Sequence, residues 1–131
     1  MNSARIRGFT LVELLIALLI VSVLISLAVP NYQGYVQRLH RDDARHLLML
    51  NAHRLQRCFT LEGVYNGSCV VRPLSEEGYY ALTSVITSNT FELTATAVAG
   101  TSQASDDACQ TFTYTHTGQK TASGSESDRC W

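Results

Sequence analysis

From Phe9 to Val29 the chain runs 21 residues with one charged side chain, Glu13. About 20 apolar residues in a helix cross a bilayer core about 30 Å thick, so this run predicts a membrane-spanning helix. Pro30 closes it. A proline there has no N–H for the carbonyl of Ser26, and its ring crowds the same turn. Helical periodicity resumes at once, so Pro30 predicts a kink rather than a stop. Tyr32, Tyr35, Val36, Leu39, Ala44, Leu47, Leu48, Ala52, Leu55 and Phe59 recur at three- and four-residue steps. Arg38, Arg41, Arg45, Arg54 and Arg57 fall between them. That is an amphipathic helix with a core side and a wet side, ending near Gly63.

Beyond Gly63 the period changes. Asn66-Gly67, Pro73 and Gly78 are turn signals. Tyr79–Ile86 is rich in β-formers. Phe91–Val98 alternates, with Phe91, Leu93, Ala95 and Ala97 on one face and Glu92, Thr94 and Thr96 on the other. Ala99–Asp107 reads as a small polar loop. Cys109–Thr117 alternates again, Gly118 begins a turn, and Gln119–Ser123 returns as a short strand before a polar loop at Ser123–Asp128. The fold class is therefore α+β: one long helix, membrane-spanning and then amphipathic, packed on a small antiparallel sheet. Four segments follow: a leader over 1–8, the apolar helix over 9–29, the amphipathic half over 30–62, and a globular head over 63–131.

Charge sharpens this division. The net charge of −1 conceals a basic cap (Arg5, Arg7), a basic middle from Asn31 to Arg57 and an acidic stretch from Cys58 to Trp131. The basic cap places residues 1–8 on the cytoplasmic side, and the acidic head is a poor surface for nucleic acid. Cys58, Cys69, Cys109 and Cys130 all lie beyond the apolar run, in the exported part, and an even number there reads as two disulfides. Cys58–Cys69 would tie the helix end to the first loop, and Cys109–Cys130 a late strand to the final residues. No C-x-x-C pair favours zinc. His40, His46 and His53 lack the i, i+4 spacing of a helical metal site and read as solvated helix residues. No serine sits in a nucleophile motif and no loop cradles phosphate, so neither enzyme activity nor a cofactor is expected. Trp131 is expected to pack beside the Cys109–Cys130 bridge, and Tyr79-Tyr80 to form core and rim of the sheet.

The junction at Gly8-Phe9-Thr10-Leu11-Val12-Glu13 carries the chemistry. A carboxylate in an apolar helix is costly and implies a partner; the bland alternative is a protonated or headgroup-level side chain. Cleavage ahead of the apolar run, rather than after it as in a secretory signal, would leave a new amine on Phe9, one helical turn from Glu13. A short basic leader, Gly8, Phe9 and a glutamate five residues into the mature chain resemble the processing signature of type IV pilins. Pro30, Tyr32 and Tyr35 match the family too. Ser22 stands where major pilins often have glycine. Asp107-Ala108-Cys109, Phe112-Thr113-Tyr114, Gly118-Gln119-Lys120 and Cys130-Trp131 look like minor pilins of the PilE type, with ComP-like small pilins as the wider group.

The resemblance implies a prepilin peptidase substrate cut after Gly8, N-methylated on Phe9 and assembled through Glu13. It implies a single-pass subunit in the bacterial inner membrane with a periplasmic head, later part of an extracellular pilus of the kind that drives twitching motility. Its partners would be other pilins and minor pilins, prepilin peptidase and the inner-membrane assembly platform, and its role the priming of assembly or a place near the tip. Two rivals remain. One is a competence pilin whose head captures DNA, which would need Arg72, Lys120 and Arg129 on one face. The other is a type II secretion pseudopilin, against which the cysteines weigh.

Overall fold

The computed structural model describes residues 8–69 and 72–131. Helix α1 spans Leu11–Glu62, with Pro30 inside it and no break. It ends where Gly63 adopts φ 75° and donates its N–H to the Phe59 carbonyl at 2.8 Å. That left-handed conformation is cheap for glycine and satisfies a carbonyl left open at the helix end. A short 3-10 turn, Gly67–Cys69, leads toward the sheet. Four strands follow: β1 Tyr80–Ile86, β2 Phe91–Ala97, β3 Thr111–Thr115 and β4 Lys120–Ser123. They pair antiparallel in chain order, so each connection joins neighbours. Register is set by pairs such as Leu82↔Ala95, Ala95↔Phe112 and Phe112↔Ala122.

The chain divides into two compact units, one ending at Tyr35 and one running from Val36 to Trp131. In the first, the large apolar side chains from Phe9 to Val29 are exposed. The second has a core. Ala44, Leu47, Leu48, Ala52 and Leu55 of α1 lie buried with Tyr80, Phe91, Leu93, Ala95 and Phe112 of the sheet. The alternation in β2 shows why: Phe91, Leu93 and Ala95 turn inward while Glu92 and Thr96 stay exposed. Each fully buried Leu or Phe contributes about 1.5–3 kcal/mol. Disulfides join Cys58 to Cys69 and Cys109 to Cys130.

The buried stripe on α1 is narrower than its periodicity suggests. Tyr32, Tyr35, Leu39 and Phe59 remain exposed, although Phe59 stacks on Tyr65 at 4.6 Å. Some polar residues take the opposite course. Arg41, expected on the wet side, is buried and paired with Asp106, Nε to Oδ2 at 2.7 Å and Nη2 to Oδ1 at 2.8 Å. The reason lies in the segment between β2 and β3. Its 3-10 turn, Ser102–Ser105, lies against this flank of the helix, where Gln37 Nε2 donates to the Ser102 carbonyl at 2.9 Å. One turn beyond Arg41, Arg45 donates to the Cys130 carbonyl from Nε at 3.0 Å and Nη2 at 2.6 Å.

Asn51 is buried as well. Its Nδ2 donates to the Leu47 carbonyl at 2.9 Å and the Arg72 carbonyl at 3.2 Å, and its Oδ1 accepts from the Arg72 N–H at 3.3 Å. Gln103, also buried, donates to the Tyr80 hydroxyl at 2.8 Å. Burial pushes the Tyr80 hydroxyl above the ordinary tyrosine pKa, so it stays protonated. The hydrogen bonds from Arg41 to Asp106 raise the arginine further above its usual value.

With side chains only 9% and 3% exposed, Arg41 and Asp106 cannot fall back on water if either loses its partner. Arg41→Ala is therefore expected to destabilise the head by about 3–5 kcal/mol. Replacing both partners with apolar residues, Arg41→Met with Asp106→Leu, should recover most of that loss. Urea unfolding of the Val36–Trp131 unit measures both.

Candidate functional site

At the N-terminal end, Gly8, Phe9 and Thr10 precede the helix in non-helical backbone. Phe9 is 79% exposed, and a Cβ added at Gly8 would meet nothing within 4 Å. Nothing in the described chain therefore demands glycine at that position. Thr10 and Glu13 cap the helix for each other. The Thr10 N–H donates to Glu13 Oε2 at 2.9 Å and the Thr10 hydroxyl to the same oxygen at 2.8 Å. The Glu13 N–H donates back to Thr10 Oγ1 at 3.2 Å. This is a capping box, in which two backbone donors left open at a helix start are satisfied reciprocally. The Thr-x-x-Glu spacing of this box is a sequence signal for a helix start. The rest of the leader, with Arg5 and Arg7, lies outside the described residues.

The helix from Leu11 contains an 18-residue window apolar enough to cross a membrane, none of it buried in the fold. Along it, Ser22 and Ser26 turn their hydroxyls back onto the carbonyls of Leu19 and Val23, each at 2.7 Å. Past Pro30, Asn31 Nδ2 reaches the Leu27 carbonyl at 3.4 Å.

On the head, the final residues close over the end of the sheet. Ser125 N–H donates to the Asp107 carbonyl at 2.9 Å and Glu126 N–H to the Ala108 carbonyl at 3.1 Å. The Cys109–Cys130 bridge seals the same segment. Trp131 lies against Phe112 and Tyr114, with ring centroids at 5.9 and 6.4 Å. Its Nε1 donates to the Thr121 carbonyl at 2.7 Å, and Lys120 lies over its ring at 5.2 Å. Elsewhere, His40, Asp42, Asp43, His46, Glu76 and Glu77 line an open concavity of about 490 Å³. Among the described residues no cluster of three could hold a metal ion.

Residues 30–113 match a family described as type IV minor pilin ComP, DNA uptake sequence receptor, and residues 3–29 match the prokaryotic N-terminal methylation motif. The chain belongs to the ComP family of type IV minor pilins. Solved structures carry the same fold. A type IV pilin from Shewanella oneidensis is 24% identical with a TM-score of 0.55, covering 72% of this chain and 97% of its own. The non-core minor pilin PilV of Neisseria meningitidis is 21% identical with a TM-score of 0.56, covering 70% and 90%. No curated protein matches the chain.

Membership makes this chain a structural subunit of type IV pili. Its membrane-anchoring helix carries the methylation motif, and its partners include pilin subunits and prepilin peptidase. The head of this minor pilin does not gather Arg72, Lys120 and Arg129 into one strip. Arg72 adjoins Pro73, whose carbonyl accepts from Leu82 N–H of β1 at 2.8 Å, while Lys120 opens β4, at the opposite edge of the sheet. Arg129 lies on the β4 side as well and faces Glu126 at 3.6 Å. Of the histidines, His46 and His53 are exposed, but His40 stacks on Tyr79 at 4.0 Å and is half-buried. Sequence periodicity could not reveal that contact, because the path bringing Tyr79 back to the helix lies in an irregular loop.

Gly124 is the tightest point of the C-terminal closure. Its φ is 131°, and an added Cβ would collide with the Ala108 carbonyl. Gly124→Ala is expected to cost about 1–3 kcal/mol and to loosen the segment around the Cys109–Cys130 bridge. Thermal unfolding under non-reducing conditions reads the loss, and a melting temperature equal to wild type would contradict the close approach.

Proposed function

We propose that this minor pilin is cut between Gly8 and Phe9, N-methylated on Phe9, and held in the inner membrane by one span with its head in the periplasm. From there the assembly platform adds it to the pilus, where it primes assembly or sits near the tip. Glu13 guides that addition by pairing with the Phe9 amine of a neighbouring subunit. The chain is a structural element and carries out no catalysis of its own.

One observation supports this reading above the others: an apolar helix exposed on every side, with one carboxylate near its start and Gly8-Phe9 just ahead of it. A helix of that kind is stable in lipid or in contact with other apolar helices, and its charge asks for a cation there. Cleavage supplies that cation at Phe9. An unpaired buried charge costs several kcal/mol, so subunits without the carboxylate should dock poorly. Glu13→Gln keeps size and polarity and removes the charge. It should leave membrane insertion and cleavage intact while lowering the processed subunit in sheared pili, relative to the membrane fraction, by tenfold or more. Entry into pili at the wild-type level would reject the pairing role.

A second reading, DNA capture by the head, is favoured by the receptor description of the family that residues 30–113 match. It is compatible with the first, because assembly uses the N-terminal helix and capture would use the head. Its charge works against it: residues 31–131 hold eight Lys and Arg against ten Asp and Glu, whereas DNA contacts rely on clustered cations. The Val36–Trp131 unit is expected to bind duplex DNA weakly and lose it as salt rises. A submicromolar, sequence-selective Kd at physiological salt, measured by fluorescence anisotropy, would instead make capture the primary role of the head.

A further inference from the structure

The outward face of the sheet is built almost entirely of hydroxyls. In β2, Glu92, Thr94 and Thr96 point away from the core, and the strand register carries that face across the other strands. One row runs Thr83, Thr94, Thr113, Thr121 over all four strands. A second runs Ala81, Thr96, Thr111, Ser123, and on the other side of the first row Val85, Glu92 and Thr115 stand abreast. Of these eleven positions eight carry a hydroxyl and one a charge. The β-propensity of threonine accounts for its presence on an exposed strand. It does not account for rows in register whose hydroxyls meet, Thr94 with Thr113 at 3.4 Å and Thr111 with Ser123 at 2.6 Å.

At the Val85 end this face sinks into a concavity of about 380 Å³, within the ~300–1,000 Å³ range of small-molecule clefts. Three polar side chains at its wall have capacity to spare. The Glu92 carboxylate, the His116 imidazole and the Gln119 amide make no hydrogen bond or ion pair among the described residues. Thr115 beside them is fixed: its hydroxyl meets that of Thr117 at 2.9 Å and accepts from the Gln119 N–H at 3.2 Å. No lysine or arginine lines the concavity.

We propose that this concavity and the threonine rows beside it bind a neutral saccharide, with one pyranose ring in the concavity and the chain continuing over the rows. The donor and acceptor set selects that class. A sugar hydroxyl both donates and accepts, and the wall offers an acceptor-only carboxylate, an amide that does both, an imidazole and a fixed hydroxyl. A phosphate or an anionic chain would meet Glu92 with no cation to offset it. An apolar ligand would strip water from these groups and leave them unpaired. Each threonine also sets a methyl beside its hydroxyl, matching the mixture of C–H and O–H around a pyranose. Adjacent strands hold these hydroxyls about 4.8 Å apart, so a chain laid across the strands meets one at each step. The inference concerns the head alone and is independent of the role of Glu13.

The test uses the full chain in a non-glycosidic detergent, since a glycoside headgroup would compete for the site. Short oligomers of glucose, galactose and N-acetylglucosamine are titrated against it, with oligogalacturonate as the charged control, and binding is followed by ligand-observed NMR. At least one neutral oligomer should bind. Glu92→Ala should weaken it about tenfold or more, the scale of one hydrogen bond to a charged group. Thr113→Val keeps the branched shape and removes one hydroxyl from the middle row, and should weaken binding about fivefold. Arg57→Gln, on the exposed side of α1, should leave it unchanged. Melting temperatures check that each variant is folded.

Failure of the wild type to bind any neutral oligomer at millimolar concentration would overturn the proposal. An affinity that neither Glu92→Ala nor Thr113→Val alters would overturn it too, because the sugar would then sit elsewhere. Tighter binding of oligogalacturonate than of every neutral oligomer would reject the selection by charge, and with it the assignment of this face.

Discussion

The sheet has one apolar face, and the second half of α1 is what covers it. Phe91, Leu93, Ala95 and Phe112 would otherwise meet water, and Ala44, Leu47, Leu48, Ala52 and Leu55 would have nothing to pack against. A sheet with one apolar face, like a helix with one apolar stripe, must bury it against another element, so each layer here completes the other. Apolar burial does not choose direction or register, however. The polar ladder at Gln37, Arg41 and Arg45, one residue per helical turn, does so by fastening the helix to Ser102, Asp106 and Cys130. A helix slid by one turn would leave the Asp106 carboxylate buried without its cation, a penalty larger than the gain from most single apolar contacts.

The strands were legible in the sequence because two-residue alternation leaves a plain trace when one face is wet. β2 shows this in Phe91, Leu93 and Ala95, and β3 in Phe112 and Tyr114. The end of α1 was legible from Gly63. What could not be read was which polar side chains on the helix face protein instead of water. Arg41 and Asn51 look like ordinary wet-face residues until the course of the 98–110 and 72–79 segments is known. Those segments are irregular, so no period betrays them. The result is a helix whose buried face is partly charged, where a pattern based on hydrophobicity marks only Ala44 through Leu55.

The candidate assembly residues were legible for a different reason. Gly8, Phe9 and Glu13 stand out because a charge in an apolar run is expensive, and expense in a sequence points to use. Thr10 is harder to single out, because a threonine at the edge of an apolar helix is unremarkable by composition. Only the geometry shows it donating twice to one oxygen of Glu13. The spacing Thr-x-x-Glu was nonetheless a readable signal, since this pattern ahead of an apolar run marks a helix start.

The two ends of the chain thus solve separate problems. At the N-terminus, the apolar surface is left exposed, as suits a membrane-anchoring helix, and its one carboxylate is capped by Thr10. On the head, the apolar face of the sheet is covered by α1, and the edges of the sheet are managed. The Thr121 carbonyl, on the outer strand, is taken by Trp131, and Pro73 and Ser75 occupy the first half of the β1 edge through Leu82 and Tyr80. Blunted edges suppress strand addition between copies. The three basic residues of the head are not gathered into one strip: Arg72 and Lys120 belong to opposite edges, and Arg129 is matched by Glu126. Any partner the head recruits must therefore be held by something other than one continuous positive face built from those three residues.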